Sequence, residues 1–301
     1  MQTPTTRYSW RDYGVRQSLY IDDADLADQH LANFSGPVGL DIEWKPNFRK
    51  GELENPVALL QLANAGTILL LHICHMSRFP RNLRIFLEDS SIAKAGVGIQ
   101  GDAQKLYKDC SISLRNCIDL SLLARSVDNA QWKGKYKDPL GLARLIGHYE
   151  NKLLPKGKIT RSNWEQRLDL AQKEYASNDA LAGYTLYIRL TQMLNTLPKA
   201  PSTRCYTFDY VRGRLCEPSG MSWAPFNPDY DPGPPPPPPP PKATATTSET
   251  SSAETPGSKT PRKRPLVSDS AAVGQPRSNS VRDKPKRPKR HHPRKNNNTT
   301  A

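Results

Sequence analysis

At 301 residues the chain has room for one large domain or two small ones. Lys and Arg total 43 against 29 Asp and Glu, a formal charge of +14, and the apolar fraction is 36%. Both biases are local: residues 231–301 hold no aromatic side chain, 16 of the 28 prolines and a net charge of +9, which leaves +5 for residues 1–230. The composition implies an ordinary folded domain followed by a basic, proline-rich tail that is expected to be disordered because it cannot bury a core.

No run of 18 or more apolar residues exists, so no membrane span is expected. The first residues, MQTPTTRYSW, are polar, so no signal peptide is expected. Five cysteines without a CxxC pair point to reduced thiols of the cytosol or nucleus. His72, Cys74 and His75 have metal-binding side chains but no second ligand pair, so zinc is not expected there. Gly157-Lys158 is followed by Ile159, which excludes a phosphate-cradling GxxxxGK[ST] loop.

In chain order, residues 1–20 are polar with scattered aromatics and no period. Residues 22–34 read as a helix with an acidic first turn. Residues 38–43 alternate as a strand, with Val38, Leu40 and Ile42 on one side and Asp41 and Glu43 on the other. Residues 56–63 and 67–73 form a hairpin turned at ANAG, and 78–88 a helix. AKAGVGI, residues 93–99, reads as a strand running into Gly101-Asp102, with a helix from Ala103. NCIDLSLLARSV reads as strand then helix, and PLGLARLIGHY as helix. Residues 165–196 are helical, as one helix or as two divided near Asn178 and Gly183, and Pro198 ends them. Residues 199–230 are either a hairpin at YTFDYVRGRL or an ordered linker. Strands, then βα units, then helices predict an α/β fold with a mixed sheet.

Period two puts the carboxylates of Asp41 and Glu43 on one face of their strand. Two close carboxylates repel unless a cation neutralises them, and hard oxygen donors suit Mg²⁺ or Mn²⁺. Asp102 stands at a strand-to-helix junction, where an N-cap is the plain alternative. Tyr175 and Asp179 are four apart on a helix and share a face. Each feature is ordinary alone; the combination is not.

The stretches GLDIEW, GVGIQGDAQKL and YASNDALAGYTLY together resemble the three motifs of the DEDDy group of 3′–5′ exonucleases. The likeness is strongest to the exonuclease domain of the Werner syndrome protein and its stand-alone relatives, with ribonuclease D more distant. VALLQLA and KITRSNW strengthen it. The resemblance covers residues 20–196 and implies a ribonuclease-H-like mixed sheet flanked by helices. It implies two Mg²⁺ or Mn²⁺ ions held by Asp41, Glu43, Asp102 and Asp179, with Tyr175 orienting the attacking water. Nucleoside 5′-monophosphates released from DNA are the implied products. RNA 3′-end processing is the alternative within the same chemistry, and a catalytically inactive binding module is the alternative outside it.

For substrate contacts, Trp44 is either a stacking surface for a terminal base or a core residue, and Arg161 either a phosphate contact or a surface ion pair. Lys105 and Lys108 are candidates for lining the strand path. Trp164 is expected to be structural, and Leu59, Leu60, Leu69 to Leu71, Leu142 and Leu145 to be core. The expected organisation is an N-terminal extension over 1–19, an exonuclease domain over 20–198, an aromatic and Pro-containing extension over 199–230 and the tail over 231–301. The basic runs Pro261–Pro265 and Lys284–Lys295 read as nuclear localisation signals, with a nucleic-acid clamp or a solubilising tail as the other readings. Pro234–Pro241 reads as a stiff polyproline II spacer or a ligand for a proline-binding domain. A cooperating helicase is expected only as a separate protein.

Overall fold

The structure, a computed structural model, describes residues 4–235. The chain opens with β1 (Thr6–Arg7), β2 (Gln17–Ile21) and α1 (Ala24–Ala32). A meander follows, of β3 (Val38–Glu43), β4 (Leu59–Ala63) and β5 (Thr67–Leu71). Helix α2 (Arg81–Glu88) leads into two βα units, β6 (Lys94–Gly96) with α3 (Ile99–Cys110) and β7 (Cys117–Asp119) with α4 (Leu120–Val127). Then come α5 (Leu142–Tyr149), the short β8 (Lys152–Leu153) and the long α6 (Leu170–Thr196). The hairpin β9 (Thr207–Val211) and β10 (Arg214–Cys216) follows.

Eight strands form one mixed sheet in the order β10-β9-β7-β6-β3-β4-β5-β2. The meander is antiparallel; β6 and β7 run parallel to β3, and β2 runs parallel to β5. Strands β1 and β8 pair separately. The fold is the expected ribonuclease-H-like mixed sheet flanked by helices. Among the described residues no helix is long and apolar enough to cross a membrane.

The alternation in β3 sorts the two faces. Val38, Leu40 and Ile42 join Leu60, Leu62, Leu69 and Leu71 in a core shared with α1, α2 and α3. On the other face Leu59, Ala63, Ile68 and Leu70 pack against Trp164 and the α6 residues Ala176, Ala180 and Leu181. A buried leucine or isoleucine contributes about 1.5–3 kcal/mol over its exposed state, so this double burial fixes β3 in the middle of the sheet. Helix α6 comes unusually close to β3. A Cβ at Gly39 would lie 2.0 Å from the Ala180 carbonyl oxygen and 2.5 Å from the Tyr184 amide nitrogen, so only glycine allows this approach.

The structure chooses between the readings left open in the sequence: 207–216 form the hairpin, which extends the same sheet through β7–β9 pairing, and 170–196 are one helix, which Asn178 and Gly183 do not divide because both are buried against the sheet and its cover. Other elements depart from expectation. Residues 17–21 supply an edge strand. The strand expected over 93–99 stops at Gly96. Gly98, at φ 72°, turns the chain and α3 begins at Ile99, so Asp102 lies inside the first helical turn and is not an N-cap. Most of the polyproline run and both basic runs fall outside the described residues.

Candidate active site

Strand β3 delivers Asp41 and Glu43 from the sheet's interior, and α6 delivers Tyr175 and Asp179 from above. An Asp169–Gln172 capping box fixes where α6 starts. The Gly39 approach fixes where it crosses β3, so Asp179 meets Asp41 and Glu43. One carboxylate oxygen from each of these three lies within 4.8 Å of the others. They share a cavity of about 230 Å³ with Tyr175, Leu142 and Lys156.

The pocket is electrostatically tense. Burial, followed by the charges of Asp102, Glu43 and Asp179, holds the Asp41 carboxyl well above the usual carboxylate range. Burial and the neighbouring acids push Glu43 up to about 8. Asp102 is pushed up to about 7 by burial and the nearby Asp119. Asp179 rises only to about 6, because the Tyr175 hydroxyl and Lys156 counteract its burial. Burial and the Asp179 charge raise the Tyr175 phenol, which therefore keeps its proton at neutral pH. Three converging hard oxygen donors that repel one another suit a divalent cation, whose charge would remove the repulsion.

The expected site residues divide. Asp41, Glu43, Tyr175 and Asp179 line one cavity. Asp102 stands outside the close trio, near enough for its charge to raise Asp41 and Glu43. Lys105 does not fit a place on a strand path: it is 6% exposed and spends its ammonium on Asp109 (3.0 Å), Glu54 (3.1 Å) and the Asn55 carbonyl (2.7 Å). Its Nζ also sits 4.6 Å from the centre of the Trp44 ring, and Trp44 is half-buried against the core. Lys108 and Arg161 are exposed, Arg161 at the end of a short 3-10 helix, Lys158–Arg161, ahead of α6. Trp164 is fully buried, and of the leucines expected in the core only Leu142 reaches the cavity. His72, Cys74 and His75 do come within 4.8 Å of one another. Both ring nitrogens of His72 are taken, however, by the Tyr20 hydroxyl (2.6 Å) and the Trp164 carbonyl (2.8 Å). Sequence reading missed Lys156. It stands in a run of lysines with no local mark, and only the fold brings it beside Asp179.

Residues 20–195 match the family model of the 3′–5′ exonuclease domain. The chain belongs to the 3′–5′ exonuclease family. It is 40% identical over 168 residues to a 3′–5′ exonuclease of Arabidopsis thaliana, covering 55% of this chain and 54% of that one. It is 39% identical over 162 residues to the bifunctional 3′–5′ exonuclease/ATP-dependent helicase WRN of Mus musculus, covering 53% of this chain and 11% of that protein. The chain thus spans about half of the plant relative and a small part of the mouse one. The solved Nibbler EXO domain of Aedes aegypti shares the fold at 23% identity and a TM-score of 0.50, covering 59% of this chain and 88% of that chain. Ribonuclease D of Trypanosoma brucei shares it at 18% identity and 0.51, covering 61% and 66%. A 3′–5′ exonuclease domain implies a nucleic-acid substrate, and the acidic trio matches the divalent metal ions that this family generally uses.

Proposed function

We propose that this exonuclease removes nucleotides one at a time from the 3′ end of DNA, with Asp41, Glu43, Asp102, Tyr175 and Asp179 as the working residues. The observation that carries the reading is the convergence of Asp41, Glu43 and Asp179, within 4.8 Å, on a cavity that also holds Tyr175. In the balanced reaction, water oxygen bonds to phosphorus and the bond from phosphorus to the 3′ oxygen breaks. The shortened strand keeps a 3′ hydroxyl and a nucleoside 5′-monophosphate leaves.

Asp41, Glu43 and Asp179 are the residues that would hold a divalent cation, with Asp102 supporting a second; Mg²⁺ or Mn²⁺ fits their oxygens. When bound, such ions supply charge stabilisation to the phosphate as it becomes more negative. Tyr175, with its phenol kept protonated, acts as a hydrogen-bond partner that orients the attacking water, not as a base. Lys156 is exposed at the cavity mouth, where its ammonium is available to a phosphate oxygen. Trp44, though braced by Lys105, keeps a partly open ring next to Glu43, and Arg161 offers a second phosphate contact.

Two features favour DNA: the identity to a protein named as an exonuclease and helicase, and a basic tail suited to nuclear import. We read the tail's basic runs as nuclear addresses and Pro234–Pro241 as a spacer or a ligand for a proline-binding domain. A role in DNA repair or replication follows from that reading. RNA is the second reading, favoured by the shared fold with ribonuclease D. Digestion of matched DNA and RNA strands tests the choice: DNA should shorten at least tenfold faster, and faster loss of RNA would overturn it. Truncation after residue 242 should leave the rate and its salt dependence unchanged and abolish nuclear accumulation. Weaker, less salt-sensitive binding by the truncated protein would instead make the tail a clamp.

A further inference from the structure

Strand β4 carries one polar side chain toward α6. Gln61 is 0% exposed, and neither its Oε1 nor its Nε2 has a hydrogen-bond partner. It stands directly opposite Asp41 in the β3–β4 register and opposite Leu70 of β5. Directly paired residues project from the same face, with Cβ atoms about 4.5–5.5 Å apart. The carboxamide therefore lies beside the Asp41 side chain, between the sheet and α6.

The indole N–H of Trp164 is another buried donor without a partner. Trp164 packs in the same layer, with Leu59, Leu70 and Ala176, and its ring centre is 6.0 Å from that of Tyr175. His72 holds it in place: Nε2 donates to the Trp164 carbonyl at 2.8 Å, while Nδ1 accepts from the Tyr20 hydroxyl at 2.6 Å.

A buried amide without partners is costly, and a leucine or methionine of similar volume would fill the same space without that cost. The chemistry of the three neighbours is complementary. An ionised Asp41 only accepts hydrogen bonds, Gln61 both accepts and donates, and the Trp164 indole only donates. We propose that Gln61 is a positioning residue for Asp41. Its Nε2 donates to the Asp41 carboxylate, directly or through one internal water, while its Oε1 accepts from the Trp164 indole. The chain of donors holds the Asp41 carboxylate in the orientation that a cation and the phosphate require. This inference rests on Asp41 being a cation ligand, as proposed above.

The test uses the full chain carrying Gln61→Leu, with Gln61→Met as a second variant that adapts more easily to the space. Three quantities are read: Mn²⁺ affinity by calorimetry, kcat and KM on a single-stranded oligonucleotide, and Tm in EDTA. Partners that orient a metal ligand are typically worth 10–100-fold in affinity or activity. The expected result is a loss of about that size in Mn²⁺ affinity and in kcat, with KM for the oligonucleotide little changed and Tm unchanged or raised. A residue that merely fills the layer would let Tm rise while Mn²⁺ affinity and kcat stay within about twofold, and that result overturns the proposal. If Gln61→Leu fails to fold, Gln61→Met decides on the same quantities. A wild-type protein that binds Mn²⁺ but does not cut would defeat the nuclease reading, while calorimetry on the variants would still judge Gln61.

Discussion

The crowded carboxylates make a sharp prediction about Glu43→Gln in the metal-free protein. Burial, with the charges of Asp179 and Asp102, pushes Glu43 from its ordinary value of 4.5 up to about 8 in the fold. A carboxyl whose native value is raised binds more protons folded than unfolded, so its contribution becomes steadily more destabilising as pH climbs from the unfolded to the folded value. Below pH 4.5 Glu43 is protonated in both states and costs nothing. Above pH 8 the full penalty is present, up to about 5 kcal/mol at about 1.4 kcal/mol per pH unit. Replacing Glu43 by the neutral, isosteric glutamine removes it. For a folded region of this size each kcal/mol moves Tm by about 2–4 °C, so in EDTA the variant should melt up to roughly 10–20 °C above the wild type at pH 9. The two should coincide near pH 4. Adding Mg²⁺ or Mn²⁺ at pH 8 should raise the wild-type Tm and close much of the gap. A melting series from pH 4 to 9 measures this directly. A gap independent of pH, or a variant less stable than wild type at pH 9, would mean that Glu43 carries no such burial penalty.

If the Tyr175 phenol orients water and is not a cation ligand, Tyr175→Phe should lower kcat by about 10²-fold while calorimetric Mn²⁺ affinity stays within about twofold. Gly39→Ala should destabilise the protein by roughly 3 kcal/mol or more in urea melts, since its Cβ would meet α6 backbone that cannot yield like a side chain. Leu60→Ala, emptying a fully buried position on the opposite face, should cost about 2–5 kcal/mol in the same assay and leave kcat near wild type once folded.

What was legible in the sequence is what periodicity or a dense motif writes down. The strict alternation of 38–43 gave β3 and put both carboxylates on one face, and a four-residue step put Tyr175 and Asp179 on one side of α6. Strand β2 was hidden because it is a short, half-exposed edge strand without a clean alternation, and the same weakness of β10 left the hairpin at YTFDYVRGRL as only one of two readings. Asp102 was placed one element too early because Gly98, not the end of the apolar run, turns the chain into α3. Lys105 looked like a surface lysine from its charge alone; only the 44–57 loop returning to α3 supplies Glu54 and Asn55 to bury it. Gln61 was masked by apolar neighbours in ALLQLA, where a strand buried on both faces shows no alternation. Its place beside Asp41 exists only in the register.

If Asp41, Glu43 and Asp179 form a single cation-dependent cutting site, digestion of a 5′-labelled single-stranded DNA by wild type and Asp41→Ala will show it. With Mg²⁺, the wild type should give a ladder that shortens from the 3′ end and releases nucleoside 5′-monophosphates. EDTA should stop it, and a folded Asp41→Ala protein should leave the strand intact. Undiminished shortening by Asp41→Ala, or by the wild type in EDTA, would rule such a site out.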